Sequence, residues 1–284
     1  MLRPNLWDTA KGSSFSALVD IYLQTHSSKL LDRQHNLLTD KEYRSLLTLM
    51  SIGLAGLYYY IGMLLKVLHL EDKYSQAEIA PVYLGGNGSR FLHWLTHAGR
   101  FTVHEEMNKL LSRMLALGSG FDDLGVDTTL SQHAKDEVAY GLVINDPRFA
   151  GWEHTEEGLI AGEDCVINGI AIQANDRIIL DEFQEDKIAS FSIDSLQPIA
   201  KFLADFHRSL RDLKITLVQK LDDYKESEDV KENLSLWKEV EQYRKDICQQ
   251  SEDVEVNNFS PEPPFIISIK ALLMVLVERF KNQA

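Results

Sequence analysis

Residues 46–65 read LLTLMSIGLAGLYYYIGMLL, twenty residues without a charge. Such a run either crosses a bilayer or forms the buried centre of a large core, because about 20 apolar helical residues span the hydrocarbon thickness. Arg44 and Lys66 flank it. Its interior favours burial in protein. Thr48, Ser51 and three glycines interrupt it, and Tyr58, Tyr59 and Tyr60 lie past its middle. Tyrosines at a membrane interface belong near the ends of a span. The run therefore predicts a buried helix over 40–70, with Thr39 or Asp40 as N-cap. A membrane-associated protein anchored by residues 46–65 is the alternative.

Composition narrows the functional classes. The formal net charge is −14. Nucleic acid is bound by neutralising phosphates with cations, so this balance argues against it as a main partner. Cys165 and Cys248 form no metal-type cluster and read as reduced thiols. The opening residues, MLRPNLWDTAKGSSFS, carry no apolar signal region. Together these features predict a cytoplasmic protein.

The rest of the chain divides by pattern. Residues 15–31 read as a helix. Residues 79–84, IAPVYL, are apolar and partly β-branched and predict a buried strand, with Pro81 near its start. A glycine-rich turn follows, then a helix over 89–98. Residues 107–117 predict a helix closed by Gly118. Residues 126–130, VDTTL, predict a second strand, and 134–143 a further helix. Residues 160–180 alternate apolar runs with Gly162, Gly169 and Asn175-Asp176, the pattern of short antiparallel strands. Residues 195–224 carry a helical apolar stripe from Leu196 through Phe202, Phe206 and Leu210 to Leu217. A more polar helix over 230–250, an acidic linker over 251–264 and an amphipathic helix over 265–281 complete the chain.

The segment richest in chemistry is Val82-Tyr83-Leu84-Gly85-Gly86-Asn87-Gly88-Ser89-Arg90-Phe91-Leu92. Glycines let a backbone approach a planar ring or a phosphate with no Cβ between them. A helix start offers unpaired N–H groups. Ser89 can cap the helix, and the flat Arg90 guanidinium can stack on a base. The generic motifs do not fit. A P-loop needs a lysine after its glycines, and none follows here. In a Rossmann fingerprint the third glycine would stand where this chain has Phe91.

This turn, followed by Lys135-Asp136-Glu137-Val138-Ala139-Tyr140-Gly141-Leu142, resembles the adenosine side of the actin, heat-shock chaperone and sugar-kinase ATPase superfamily. In the chaperones an apolar strand enters a Gly-Gly-Ser-type turn with an arginine, and an acidic-Ala-Val-Ala-Tyr-Gly helix start comes later. Two departures are visible: the gap here is about forty-five residues, longer than in the chaperones, and Asn87-Gly88 lengthens the turn. The resemblance covers 65 of 284 residues. It implies an α/β fold: an incomplete actin-like lobe with a ribonuclease H-like sheet over 15–145. A small β-rich segment over 146–190 and a helical region over 191–284 would follow.

It also implies a nucleotide site. Gly85, Gly86, Asn87 and Gly88 would let ATP or ADP approach the backbone. Ser89 would bond the base edge, Arg90 would lie on its face and Phe91 beneath it. Lys135 and Glu137 would stand near the ribose or adenine. The superfamily holds phosphate and Mg²⁺ with two earlier Asp-x-Gly hairpins, and none precedes residue 79. Phosphoryl transfer needs both groups positioned together. The expectation is therefore no catalytic residue, and hydrolysis only if a protein partner supplies the phosphate-binding lobe with its Mg.

Other readings compete. The chain could be a nucleotide-free interaction protein using its C-terminal helices. The first turn at 135–137 could be a solvated helix start, where acids favour the dipole in any case. His93 and His97 lack the His-Glu-x-x-His pattern, so they read as core or surface residues. Gly118-Ser119-Gly120 lacks the apolar strand of a nucleophile elbow.

Overall fold

The computed structural model describes residues 41–70, 81–96, 100–121, 124–131, 158–179, 190–218, 221, 235–253 and 262–283. Over these residues the fold is mixed α/β, with six helices and small parallel and antiparallel sheets. The helices predicted over 15–31 and 134–143 lie outside the described residues, as do Lys135 and Glu137.

Helix α1, Lys41–Leu70, is the uncharged run and its flanks. Among the described residues it alone is long and apolar enough to cross a membrane, and half of its apolar window is buried. The burial has a geometric cause. Gly62 faces the backbone of helix α2, Glu106–Ser119. A Cβ built on Gly62 would overlap the Leu115 carbonyl oxygen, and one on Gly118 would overlap the Tyr59 carbonyl oxygen. The two helices touch backbone to backbone at this crossing. Gly118 is thus a buried packing residue and not the helix terminator predicted for it. The helix runs to Ser119 and ends at Gly120, whose left-handed φ of 77° lets its N–H reach the Ala116 and Leu117 carbonyls.

Gly53 and Gly56 admit a second neighbour. Helix α5, Pro264–Gln283, lays Leu273 and Ile269 against them. Small residues on one helix face let another helix approach closely, so the glycines of the run are contact surfaces.

The three adjacent tyrosines point three ways. The Tyr58 hydroxyl shares a 2.8 Å hydrogen bond with Thr128 Oγ1. The Tyr59 hydroxyl donates to Asp205 Oδ2 at 3.4 Å, and the Tyr60 hydroxyl to the Ile160 carbonyl at 2.8 Å. Successive helical side chains stand about 100° apart, which is why neighbours in sequence reach separate partners. The Tyr59 ring also packs edge-on to Phe202 at 5.5 Å and stacked on Phe265 at 5.7 Å.

Phe202 belongs to helix α3, Gln197–Asp212. Its stripe of Ile199, Phe202, Leu203, Phe206 and Leu210 is buried, as the periodicity predicts. The helix is shorter than predicted. Lys214 takes a left-handed φ of 58°, and Leu217 and Val218 enter the core from non-helical backbone. Asp205 on α3 is buried and bonded by Lys201 at 2.7 Å and Arg208 at 3.1 Å. Helix α4, Ser235–Asp253, packs against α5, joined by an Arg279–Glu239 pair with bonds of 3.1 and 2.9 Å.

Strands β1, Val82–Leu84, and β2, Thr128–Leu130, pair in parallel. Strand β3, Gly158–Ile160, pairs antiparallel with β6, Arg177–Ile179. Strand β4, Cys165–Ile167, lies between β5, Ile170–Ile172, and β7, Phe191–Ile193. The β4–β5 turn is Asn168-Gly169 with φ of 50° and 79°, the conformation that suits a two-residue hairpin. The short antiparallel strands predicted over 160–180 are present.

The α1–α2 crossing gives a direct test. Gly118→Ala pushes a methyl into the Tyr59 backbone and is expected to destabilise by about 3 kcal/mol or more. Gly88→Ala, where a Cβ meets nothing within 4 Å, should change stability by less than about 0.5 kcal/mol. Urea unfolding of the two variants measures the contrast.

Candidate functional site

The glycine turn sits at the C-terminal end of β1, and two helices fix its position. Asn108 of α2 is fully buried. Its amide nitrogen donates to the Thr128 carbonyl at 2.8 Å and to the Thr102 carbonyl at 3.2 Å, and its oxygen accepts the Thr128 N–H at 2.9 Å. One side-chain amide therefore reads both backbone groups of the first β2 residue. Tyr58 of α1 holds the hydroxyl of the same threonine. Strand β1 then hangs on β2: the Val82 N–H donates to the Asp127 carbonyl at 3.0 Å, and the Ser131 N–H to the Leu84 carbonyl at 2.9 Å.

The strand is not the buried one its composition predicts. Val82 and Leu84 are half-buried against the core, and Tyr83 between them is 72% exposed. Successive side chains of a strand point to opposite faces, so a sheet packed against the core on one face turns every second residue to solvent.

Past Leu84 the chain turns at Gly86, with φ of 75°. A 3-10 helix follows, Asn87–Leu95, where the sequence predicts a helix over 89–98. Its N-cap is Gly86, without a side-chain cap bond. Ser89 therefore does not cap. Its hydroxyl and its N–H both donate back to the Gly86 carbonyl, at 2.7 and 3.1 Å. Leu92 and Leu95 anchor the helix in the core.

The sequence-predicted residues separate into two groups. Gly85, Gly86, Gly88, Ser89, Arg90 and Phe91 come together on one surface turn. Asn87 lies in it too, with only its backbone described. Lys135 and Glu137 lie outside the described residues. Gly85, Gly88 and Arg90 are exposed, and Phe91 is 38% exposed. A Cβ on Gly86 or Gly88 would meet none of the described residues within 4 Å. Gly86 owes its identity to its φ. Gly88 has no positive φ and no close neighbour among the described residues, so neither strain nor their packing demands glycine there. The surface offers glycine backbone, an exposed guanidinium and a partly exposed ring.

His93 has a structural task that sequence patterning missed. Its Nδ1 accepts the Phe101 N–H at 3.0 Å, and the Thr96 hydroxyl donates 2.9 Å to the His93 carbonyl. Burial lowers its pKa, and Arg90 and Arg100 lower it further. The ring is therefore neutral and available as an acceptor near pH 7. Among the described residues no three His, Cys, Asp or Glu side chains gather as metal ligands.

Removing the Asn108 amide should release the turn. Asn108→Ala is expected to cost about 3 kcal/mol, because it leaves the Thr128 backbone groups unpaired and opens a small cavity. Tyr58→Phe loses one buried hydroxyl bond and should cost about 1 kcal/mol. Denaturant unfolding and amide exchange at Thr128 check both. No family model matches the chain, and neither a curated protein nor a solved structure gives a significant match.

Proposed function

We propose that this chain is an adenine-nucleotide-binding lobe that works with a partner chain. The finer fold reading belongs to the same proposal: an incomplete actin-like ATPase lobe with a ribonuclease H-like sheet. It rests on the order of the strand, the Gly85-Gly86 turn, Ser89-Arg90 and the Glu137-Val138-Ala139-Tyr140-Gly141 segment. One observation supports the site above the others. Among the described residues, nothing around Gly88 requires a glycine there. A ligand that must come within contact distance of the backbone supplies the missing reason.

The geometry also supports a partner. The turn lies at the C-terminal end of a parallel strand, where open α/β sheets place their ligands. The described residues face such a ligand from one side only. Adenine would stack between Arg90, the Gly86–Gly88 backbone and Phe91. The base edge has a reduced claim on Ser89, whose hydroxyl already serves Gly86. ADP or ATP phosphates, with Mg²⁺, would be held by the partner lobe, which would also supply any hydrolysis.

A second reading is a scaffold for a protein partner. Leu46, Leu57 and Ile61 on α1 and Met274 on α5 expose more than a third of their surface. A groove of about 350 Å³ lies where these two helices meet, lined by Lys41, Leu46, Leu49, Val277, Phe280 and Lys281. The nucleotide experiment separates the two readings.

Millimolar ADP-Mg should raise the melting temperature of the full chain. A ligand at a hundred times its dissociation constant adds about 2.7 kcal/mol to the native state. Gly88→Val and Arg90→Ala should abolish the rise while leaving the unliganded melting temperature within a few degrees. A wild-type chain that melts identically with and without ADP-Mg has no nucleotide site of its own and leaves the scaffold reading.

A further inference from the structure

Glu163, in the turn between β3 and β4, is fully buried. The turn is wedged under the first turn of α5: the Phe265 N–H donates to the Ala161 carbonyl at 3.3 Å, and Gly162, with φ of 74°, lies against Phe265 and Tyr60. The Ser268 hydroxyl of α5 donates to Glu163 Oε2 at 2.6 Å. Arg244 of α4 approaches the same oxygen at 3.6 Å. Its guanidinium is already engaged, donating to the Ser195 carbonyl at 2.6 Å, the Ile193 carbonyl at 2.9 Å and the Ser268 hydroxyl at 3.3 Å. The other carboxyl oxygen, Oε1, is buried with no hydrogen-bond partner among the described residues.

A charged carboxylate with one dry oxygen is costly, and a proton there removes the charge. Every element around Glu163 bears on that proton. Asp164, beside it in the turn, disfavours ionisation, while Arg244 from α4 and Ser268 from α5 favour it. Asp194 after β7 and Glu241 of α4 act on Arg244. Cys165 of β4 and Cys248 of α4 are buried thiols beside the cluster, and burial pushes Cys165 up to about 12. Burial dominates at Glu163 and pushes its carboxyl up to about 8.

We infer that Glu163 is a proton-operated latch. Protonated, it seals the β3–β4 turn onto α4 and α5. Deprotonated, it leaves a buried carboxylate whose Oε1 has no hydrogen-bond partner among the described residues, and the β4–β5–β7 sheet loosens from the two helices. The linkage has a definite sign. The folded carboxyl holds its proton to higher pH than the ordinary value of 4.5, so its contribution is complete below 4.5 and is lost as pH rises through about 8.

The test uses the full chain. Carboxyl ¹³C NMR should place the Glu163 midpoint near 8. Between pH 6 and 9 the wild type should lose stability relative to Glu163→Gln at matched pH, and amides of β4 and β7 should lose protection over the same interval. A midpoint below 6, or protection of β4 and β7 that stays level through the carboxyl's titration, overturns the latch. The wild-type measurements decide the matter even if Glu163→Gln fails to fold.

Discussion

The architecture depends on α1 and α2 meeting without side chains between them. Gly62 and Gly118 remove the Cβ atoms that would hold the two backbones apart. Close approach brings the flanking residues into one dense core, with Leu47, Ile52 and Ala55 from one helix and Leu110, Leu111 and Met114 from the other all solvent-free. Interiors packed at crystal-like density pass small displacements on to their neighbours. The position of α2 fixes Asn108, Asn108 fixes Thr128, and the parallel pair places the glycine turn. The candidate site is thus set by a helix crossing that does not touch it.

Polar groups in the core are arranged as ties between elements. Asp205 draws Tyr59 and two half-exposed cations to one face of α3. Arg244 gathers the carbonyl of Ile193 at the end of β7, that of Ser195 just beyond it and a serine of α5. Buried polar groups cost free energy unless they are paired, so each tie favours one arrangement of its elements over nearby alternatives. Glu163 departs from this pattern, since its Oε1 has no hydrogen-bond partner among the described residues.

Much of the secondary structure was legible in the sequence because it follows from local pattern. The uncharged run gave α1, and the stripe from Ile199 to Leu210 gave α3. What the sequence concealed was contextual. Gly118 has the spacing of a helix terminator, and only the nearby Tyr59 carbonyl shows it to be a packing residue. Leu213 and Leu217 continue the apolar stripe, yet Lys214 breaks the helix and the stripe reaches the core through a turn. The site divides in the same way. The strand, the glycines and the exposed Arg90 could be read directly. The inward bond of Ser89 could not, because Ser89 also suits a cap. Asn108 gave no signal at all, since a buried amide that reads a distant backbone has no local periodicity.

The three tyrosines place a limit on length. They join β2, α3 and β3 to a single helical turn of α1. Adding or deleting one residue within that helix would rotate everything beyond it by about 100°. Each hydroxyl would then face the neighbour's partner, and Gly62 would leave the α2 crossing at the same time. Chains that diverge from this one can substitute residues along α1, but insertions and deletions belong in the connections between its elements.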